Sequence, residues 1–191
     1  MDCWDIAHTN IIAGNVDQAV HELSKIVKSQ NVKEFMPVLD LNFDVIVNDF
    51  EQSVADFVSA CRANFTVKSV YLEMNGFDIN YDRWYFDYFA YDTVGQTPED
   101  LEWLCEWQSG QWPETELVNT LESRGVFEWY HENKIYARHK EYSDLYSTCS
   151  LLVHCKFIQF VNQELGTSNK LQGVKIYSAA HGFENVGVCV P

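Results

Sequence analysis

No stretch of this sequence runs to about 18 consecutive apolar residues, so it offers no membrane-spanning helix. The first residues, Met1-Asp2-Cys3-Trp4-Asp5, are acidic where a secretory leader is basic and then apolar. The cysteines at 3, 61, 105, 149, 155 and 189 include no Cys-x-x-Cys pair. A chain of 191 residues with this much apolar material has no need of disulfide staples. Free, mostly buried thiols and a cytoplasmic location are therefore expected. Catalytic signatures are missing too. There is no Gly-x-x-x-x-Gly-Lys, no Gly-x-Gly-x-x-Gly, no Gly-x-Ser-x-Gly and no His-Glu-x-x-His. The common nucleotide-binding and hydrolase routes have no support, and no cofactor is expected.

Positive charge is the other scarcity: 13 Lys and Arg face 28 Asp and Glu, a net of −15. The deficit is concentrated. Residues 73–132 hold fourteen acids against Arg83 and Arg124, whereas residues 133–191 hold four acids and six bases. Such a field repels nucleic acid and anionic lipid and draws a cationic partner inward. Solubility alone would account for acidity, but not for its clustering.

What is present is ample core material: 47% hydrophobic residues, with 12 Phe, 10 Tyr and 6 Trp. That excludes general disorder and suits one domain over residues 1–191. The first helix is expected from Asn15, with Gln18 completing a capping box and Val16, Ala19, Val20, Leu23, Ile26 and Val27 inward. Alternation from Leu39 to Val47 predicts a strand. Asp49 and Gln52 cap a second helix with Val54, Phe57, Val58 and Cys61 buried. A strand at 67–74, a loop at Asn75-Gly76 and the aromatic run Trp84–Tyr91 suggest an antiparallel pair. Thr97-Pro98-Glu99-Asp100 reads as a strong helix opening. Further helices are expected over 98–108, 113–121 and 145–165, and a closing hairpin over 174–178 and 186–190. The fold expected is a single α+β domain with a largely antiparallel sheet and helices packed against it.

On a wheel of about 100° per residue, a helix over 98–108 turns Leu101, Leu104 and Cys105 inward. Trp103 and Trp107 then stand nearly opposite, beside a stripe of Glu99, Glu102 and Glu106, with Trp112 just beyond. A second layer could cover the two indoles; uncovered, they are aromatic anchors rimmed by charge. Metal binding has weaker support. Cys149, His154 and Cys155 do not converge on one helix face, and His131 and His139 lack the paired short spacing of structural zinc. The carboxylates Glu73, Asp78, Asp82, Asp87 and Asp92 lie among Trp84, Tyr85, Tyr88 and Tyr91, as in sugar-cleaving sites, but any acidic aromatic strand gives that pattern. If this strand has two covered faces, Asp87 needs a hydrogen-bond partner between Tyr85 and Phe89.

The function expected is a non-catalytic binding or inhibitor protein for a basic protein, such as an immunity protein against a nuclease-like cationic toxin. Its contact residues would be Asp78, Asp82, Asp92, Glu99, Glu102, Trp103, Glu106, Trp107 and Trp112, with no metal, nucleic acid or membrane involved. The alternative is a small carboxylate- or metal-dependent hydrolase using Asp78, Asp82, Asp87, His131 or His139. A third is an adaptor subunit whose tryptophans lie in a homo-oligomer interface.

Overall fold

A computed structural model describes residues 2–46, 50–78, 80–97, 100–118 and 121–191. Helix α1, Cys3–Ile12, precedes the first expected helix and buries Ile6, Ala7 and Ile11. Helix α2, Val16–Gln30, buries Val16, Ala19, Leu23 and Val27 as the spacing predicts, although Asn15 makes no side-chain cap bond. Helix α3, Phe50–Arg62, buries the expected Val54, Phe57, Val58 and Cys61. Its expected cap, Asp49, lies outside the described residues.

The strand expected over 39–47 is a correction. Residues Lys33–Asp40 form a 3-10 helix that buries Phe35 and Val38, and among the described residues 39–46 only Asp44–Val45 (β1) is strand. What holds the helical turn is long-range. The Lys156 ammonium donates to the carbonyls of Val38, Leu39 and Leu41 at 3.2, 2.6 and 3.3 Å, satisfying the helix end. Burial pushes that ammonium down to about 8.

The remaining strands are β2 (Ser69–Asn75), β3 (Tyr85–Tyr91), β4 (Thr115–Val118), β5 (Lys175–Ala180) and β6 (Gly187–Cys189). Their order is β1-β4-β3-β2-β5-β6, antiparallel at every pairing except β2 with β5. Two further expectations fail. Within 113–118 the chain forms β4 rather than a helix, and among the described residues 100–108 the only helical piece is a 3-10 turn, Glu102–Cys105. Helices α4 (Leu121–Glu132), α5 (Ile135–Arg138) and α6 (Ser143–Leu165) complete the chain. The molecule is an α+β domain with helices packed on one face of a mostly antiparallel sheet. Among the described residues no helix is long and apolar enough to cross a membrane.

Helix α6 is buried nearly all round, as a helix at the centre of a core must be. Within it, His154 is fully buried. Its Nδ1 accepts from the Ala180 amide at 3.1 Å and its Nε2 donates to the Asn185 carbonyl at 2.7 Å, which fixes a neutral tautomer. The ring stacks on Phe183 at 4.5 Å. One side chain therefore ties the β5–β6 connection to the central helix.

All six cysteines are free thiols, and Cys105 alone is exposed. Burial pushes the Cys149 and Cys155 thiols up to about 12 and Cys189 to about 11, which suppresses thiolate at neutral pH. An aromatic disulfide reagent at pH 8 should modify Cys105 within the mixing phase of the native protein. All six should react after denaturation without reductant, and fewer would contradict the free-thiol assignment.

Candidate functional site

Period-two alternation divides the residues of β2 and β3 between two environments. Val70, Leu72, Met74, Phe86, Tyr88 and Ala90 turn to the helices and the main core. The other face carries Tyr71, Glu73 and Asn75 from β2, opposite Phe89, Asp87 and Tyr85 from β3. From β5 it receives Tyr177 and Ala179, and from β4 Glu116. This second face is half aromatic and half acidic.

The aromatic half is covered by the chain itself. Tyr71, Tyr91, Tyr177, Ala179 and Val186 form a small core against which Phe89, Leu101, Trp103 and Leu104 pack. Trp103 meets Tyr91 and Tyr177 edge-on, with ring centroids at 4.7 and 4.9 Å, and its indole N–H donates to the Asp100 carbonyl at 2.8 Å. The Tyr91 hydroxyl donates to the Leu104 carbonyl at 2.9 Å. A β-carbon at Gly95 would lie 2.6 Å from the Trp103 indole nitrogen, so the approach requires glycine. Trp103 is thus a covering residue rather than a free anchor, and Cys105, expected inward, is exposed.

The acidic half is open. Glu73 stands directly across the strand pair from Asp87, a like-charge opposition that costs stability in an antiparallel sheet. Asn75 provides the partner that Asp87 was expected to need. Its Nδ2 donates to Asp87 Oδ2 at 3.0 Å and to the Glu73 carbonyl at 3.2 Å. Glu73 accepts from the Tyr71 hydroxyl at 3.4 Å, and His181 Nδ1 lies 3.3 Å from it. Burial, followed by the charges of Glu114 and Glu73, pushes the Asp87 carboxyl above its usual range, while Arg83 opposes the rise. Glu114 and Glu116 complete the rim. Arg83 pairs with Glu114, reaches Glu116 at 4.0 Å and lies over the Tyr85 ring at 4.6 Å. Glu114 and Glu116 therefore share the Arg83 guanidinium, Asp87 lies within its electrostatic reach, and Glu73 has His181 beside it. The Arg83–Glu114 pairing is solvent-exposed, so water and salt screen most of its attraction.

Trp107 borders this half. It leans on Phe89 at 5.1 Å and is 51% exposed. Beside it a cleft of about 290 Å³ takes in Asp87 and Trp112, and Trp112 is packed on Phe57 at 5.3 Å. Segment 108–109 runs along the outer part of β3, with the Gln108 amide donating to the Ala90 carbonyl at 3.0 Å. Asp92, Glu102 and Glu106 are exposed on the covering segment and Asp82 is exposed before β3, whereas Asp78 lines a different cleft. Glu99 lies outside the described residues. Glu73, Glu114 and Glu116, which the open face brings together, were not among the expected contacts. Cross-strand register was the signal for Glu73; Glu114 and Glu116 were hidden by the mistaken helix.

The residues of the hydrolase alternative do not meet in one place. Asp87 is on the sheet face and His139 pairs with Glu141 at 3.0 Å on the surface. Asp78 is within electrostatic reach of His131, but His131 is hydrogen-bonded to the Tyr146 hydroxyl at 2.7 Å. Among the described residues no group of three His, Cys, Asp or Glu side chains is arranged to hold a metal ion. Comparison with protein-family models, curated proteins and solved structures finds no match for this chain.

Proposed function

We propose that this protein is a non-catalytic binding protein for a basic protein partner, of the kind that neutralises a cationic toxin. The partner docks on the acidic half of the open sheet face. The observation that supports this reading is the gathering of Glu73, Asp87, Glu114 and Glu116 at one open sheet face, where Arg83 pairs with Glu114 and Glu116 and the half-exposed Trp107 forms the border. Carboxylates on a rigid sheet cannot move apart, and Asp87 is held partly dehydrated beside its neighbours. Lysine or arginine side chains from a partner would relieve that repulsion, which gives electrostatic complementarity its energy here. The net of −15 adds long-range steering, and Trp107 on Phe89 supplies an aromatic anchor that a partner would desolvate.

The test is quantitative capture from the native cell with immobilised parent, with Glu73→Gln/Asp87→Asn/Glu114→Gln/Glu116→Gln, and with Trp107→Ala. A protein rich in lysine and arginine should be retained by the parent and lost by both variants, and its association should slow as salt is raised. An acidic or neutral captured protein would overturn the reading. So would a basic one that both variants retain at the parental level.

A further inference from the structure

We propose that the cleft beside β3, between Trp107 and Trp112, is a socket for one arginine residue of the basic partner. Asp87 takes its guanidinium and Tyr88 its main chain. This deepens the sheet-face reading and rests on it. The cleft lies at a break in the pairing along the outer edge of β3. On that edge the Trp84 carbonyl accepts from the Leu117 amide at 2.8 Å, and Phe86 is paired with Thr115 of β4. Further along, the Ala90 carbonyl accepts from the Gln108 amide at 3.0 Å, and the Ala90 amide donates to the Ser109 hydroxyl at 3.1 Å. In a strand the N–H and C=O of every second residue point to the same edge, so those of Tyr88 point outward as well. Pairing with β4 ends at Phe86 and the 108–109 segment pairs at Ala90, so among the described residues Tyr88 has no partner on this edge. Tyr88 lines the cleft of about 290 Å³ at that gap. An unpaired edge N–H and C=O are satisfied by one residue of an extended chain, which accepts one hydrogen bond and donates the other.

The side chains around the gap select the residue that fills it. Asp87 lines the cleft, and its Oδ2 accepts from Asn75 while its Oδ1 accepts from none of the described residues. Arg83 is taken up by Glu114 and Glu116, and no lysine or arginine lines the cleft. The walls are aromatic and fixed from behind, Trp107 by Phe89 and Trp112 by Phe57. A carboxylate in a cleft walled by two indoles favours a flat cation with several N–H groups. A guanidinium stacks on an indole and donates to Asp87 at the same time. The lysine ammonium is compact and strongly hydrated, so it gives up more water for a poorer fit. Edge, carboxylate and walls therefore converge on arginine in an extended segment.

The whole chain, labelled with nitrogen-15, is titrated at low salt and followed by amide and indole resonances. The probes are N-acetyl-arginine methylamide, its lysine counterpart, and its citrulline counterpart, which keeps the shape of arginine without the charge. A fourth, n-butylguanidinium, is the side chain alone. The arginine probe should shift the Tyr88 and Ser109 amides and the Trp107 and Trp112 indoles saturably. It should bind several-fold more tightly than the lysine probe and at least about ten-fold more tightly than the citrulline probe. Butylguanidinium should shift the indoles with weaker binding and leave the Tyr88 amide in place. Asp87→Asn keeps the size of the side chain and removes its opposition to Glu73, so it should weaken arginine binding at least about ten-fold without loss of fold. Glu22→Gln, on α2 and away from the cleft, changes the net charge equally and should bind as the parent does. Absence of saturable shifts with the arginine probe would overturn the socket. So would equal binding of the lysine or citrulline probe, parental binding by Asp87→Asn, or a Tyr88 amide that the arginine probe leaves unmoved. An empty socket in a protein that still captures a basic partner would overturn the socket alone. A socket that fills as expected, with no basic protein captured, would overturn the sheet-face reading alone.

Discussion

Replacing His154 by leucine should lower stability by about 2–5 kcal/mol at pH 7 and remove most of the protein's loss of stability between pH 6.5 and 4. The first effect follows from two orphaned groups. The Ala180 amide and Asn185 carbonyl both lose their partner in a fully buried setting, at about 1–3 kcal/mol each. The second follows from proton linkage. Burial holds the folded imidazole down at about 4, against about 6.5 unfolded. Between those values the unfolded chain binds the proton and the folded one does not. Stability is therefore complete above pH 6.5 and falls as pH drops towards 4, by about 3 kcal/mol in all. Other groups titrate in acid: Glu51 and Glu141 are lowered, and they add to the loss at still lower pH. Asp78 and Asp87 are raised and act in the opposite sense. Comparing parent with variant cancels these terms. Denaturant melts at pH 7 and pH 5 should show the gap between the two proteins narrowing by about 2 kcal/mol. Parallel pH curves would mean that His154 is not held neutral.

How far the fold was legible depended on whether the deciding interaction was local. The stripes of α2 and α3 could be read because burial repeats at helical spacing, and β3 because a short aromatic run follows a glycine-bearing loop. The short helix α1 has only Ile6, Ala7 and Ile11 buried, too thin a stripe to announce itself. At residues 33–40 the local alternation was misleading, because the turn is held by an ammonium more than a hundred positions away. The segment after Thr97 was the most instructive failure. Its capping signals are real local preferences, but a helix of some eleven residues is marginal without a surface to bury. The surface available was the aromatic half of the sheet, where Tyr71, Tyr91 and Tyr177 needed a cover that Leu101, Trp103 and Leu104 could supply only by leaving the helix. The concentration of acid in 73–132 was plain from the start. Its arrangement required β4 to be a strand, because only then do Glu116 and Tyr85 become neighbours.

That difference separates two tryptophans that the sequence presents as a pair. Trp103→Ala should destabilise the protein by about 2–3 kcal/mol before any partner is added, whereas Trp107→Ala should cost less than about 1 kcal/mol. A fully buried tryptophan truncated to alanine costs about 3–5 kcal/mol. Trp103 keeps partial exposure, which reduces that figure, but it makes two edge-on aromatic contacts worth about 0.5–1.5 kcal/mol each. Its loss also uncovers Tyr91 and Tyr177 and removes the bond to Asp100. Trp107 touches Phe89 from a half-exposed position, so water already reaches most of what alanine would uncover. Partner binding should reverse the order of directness. Trp107→Ala should speed dissociation at a cost of roughly 2 kcal/mol or more as a lost anchor. Trp103→Ala should weaken binding only as far as the covering segment loosens, and the deficit should shrink under conditions that restore its stability. Thermal melts of both variants, followed by association and dissociation rates with the captured partner, separate the two roles. Equal melting temperatures would remove Trp103 from the small core, and an unchanged dissociation rate for Trp107→Ala would remove the anchor from the docking face.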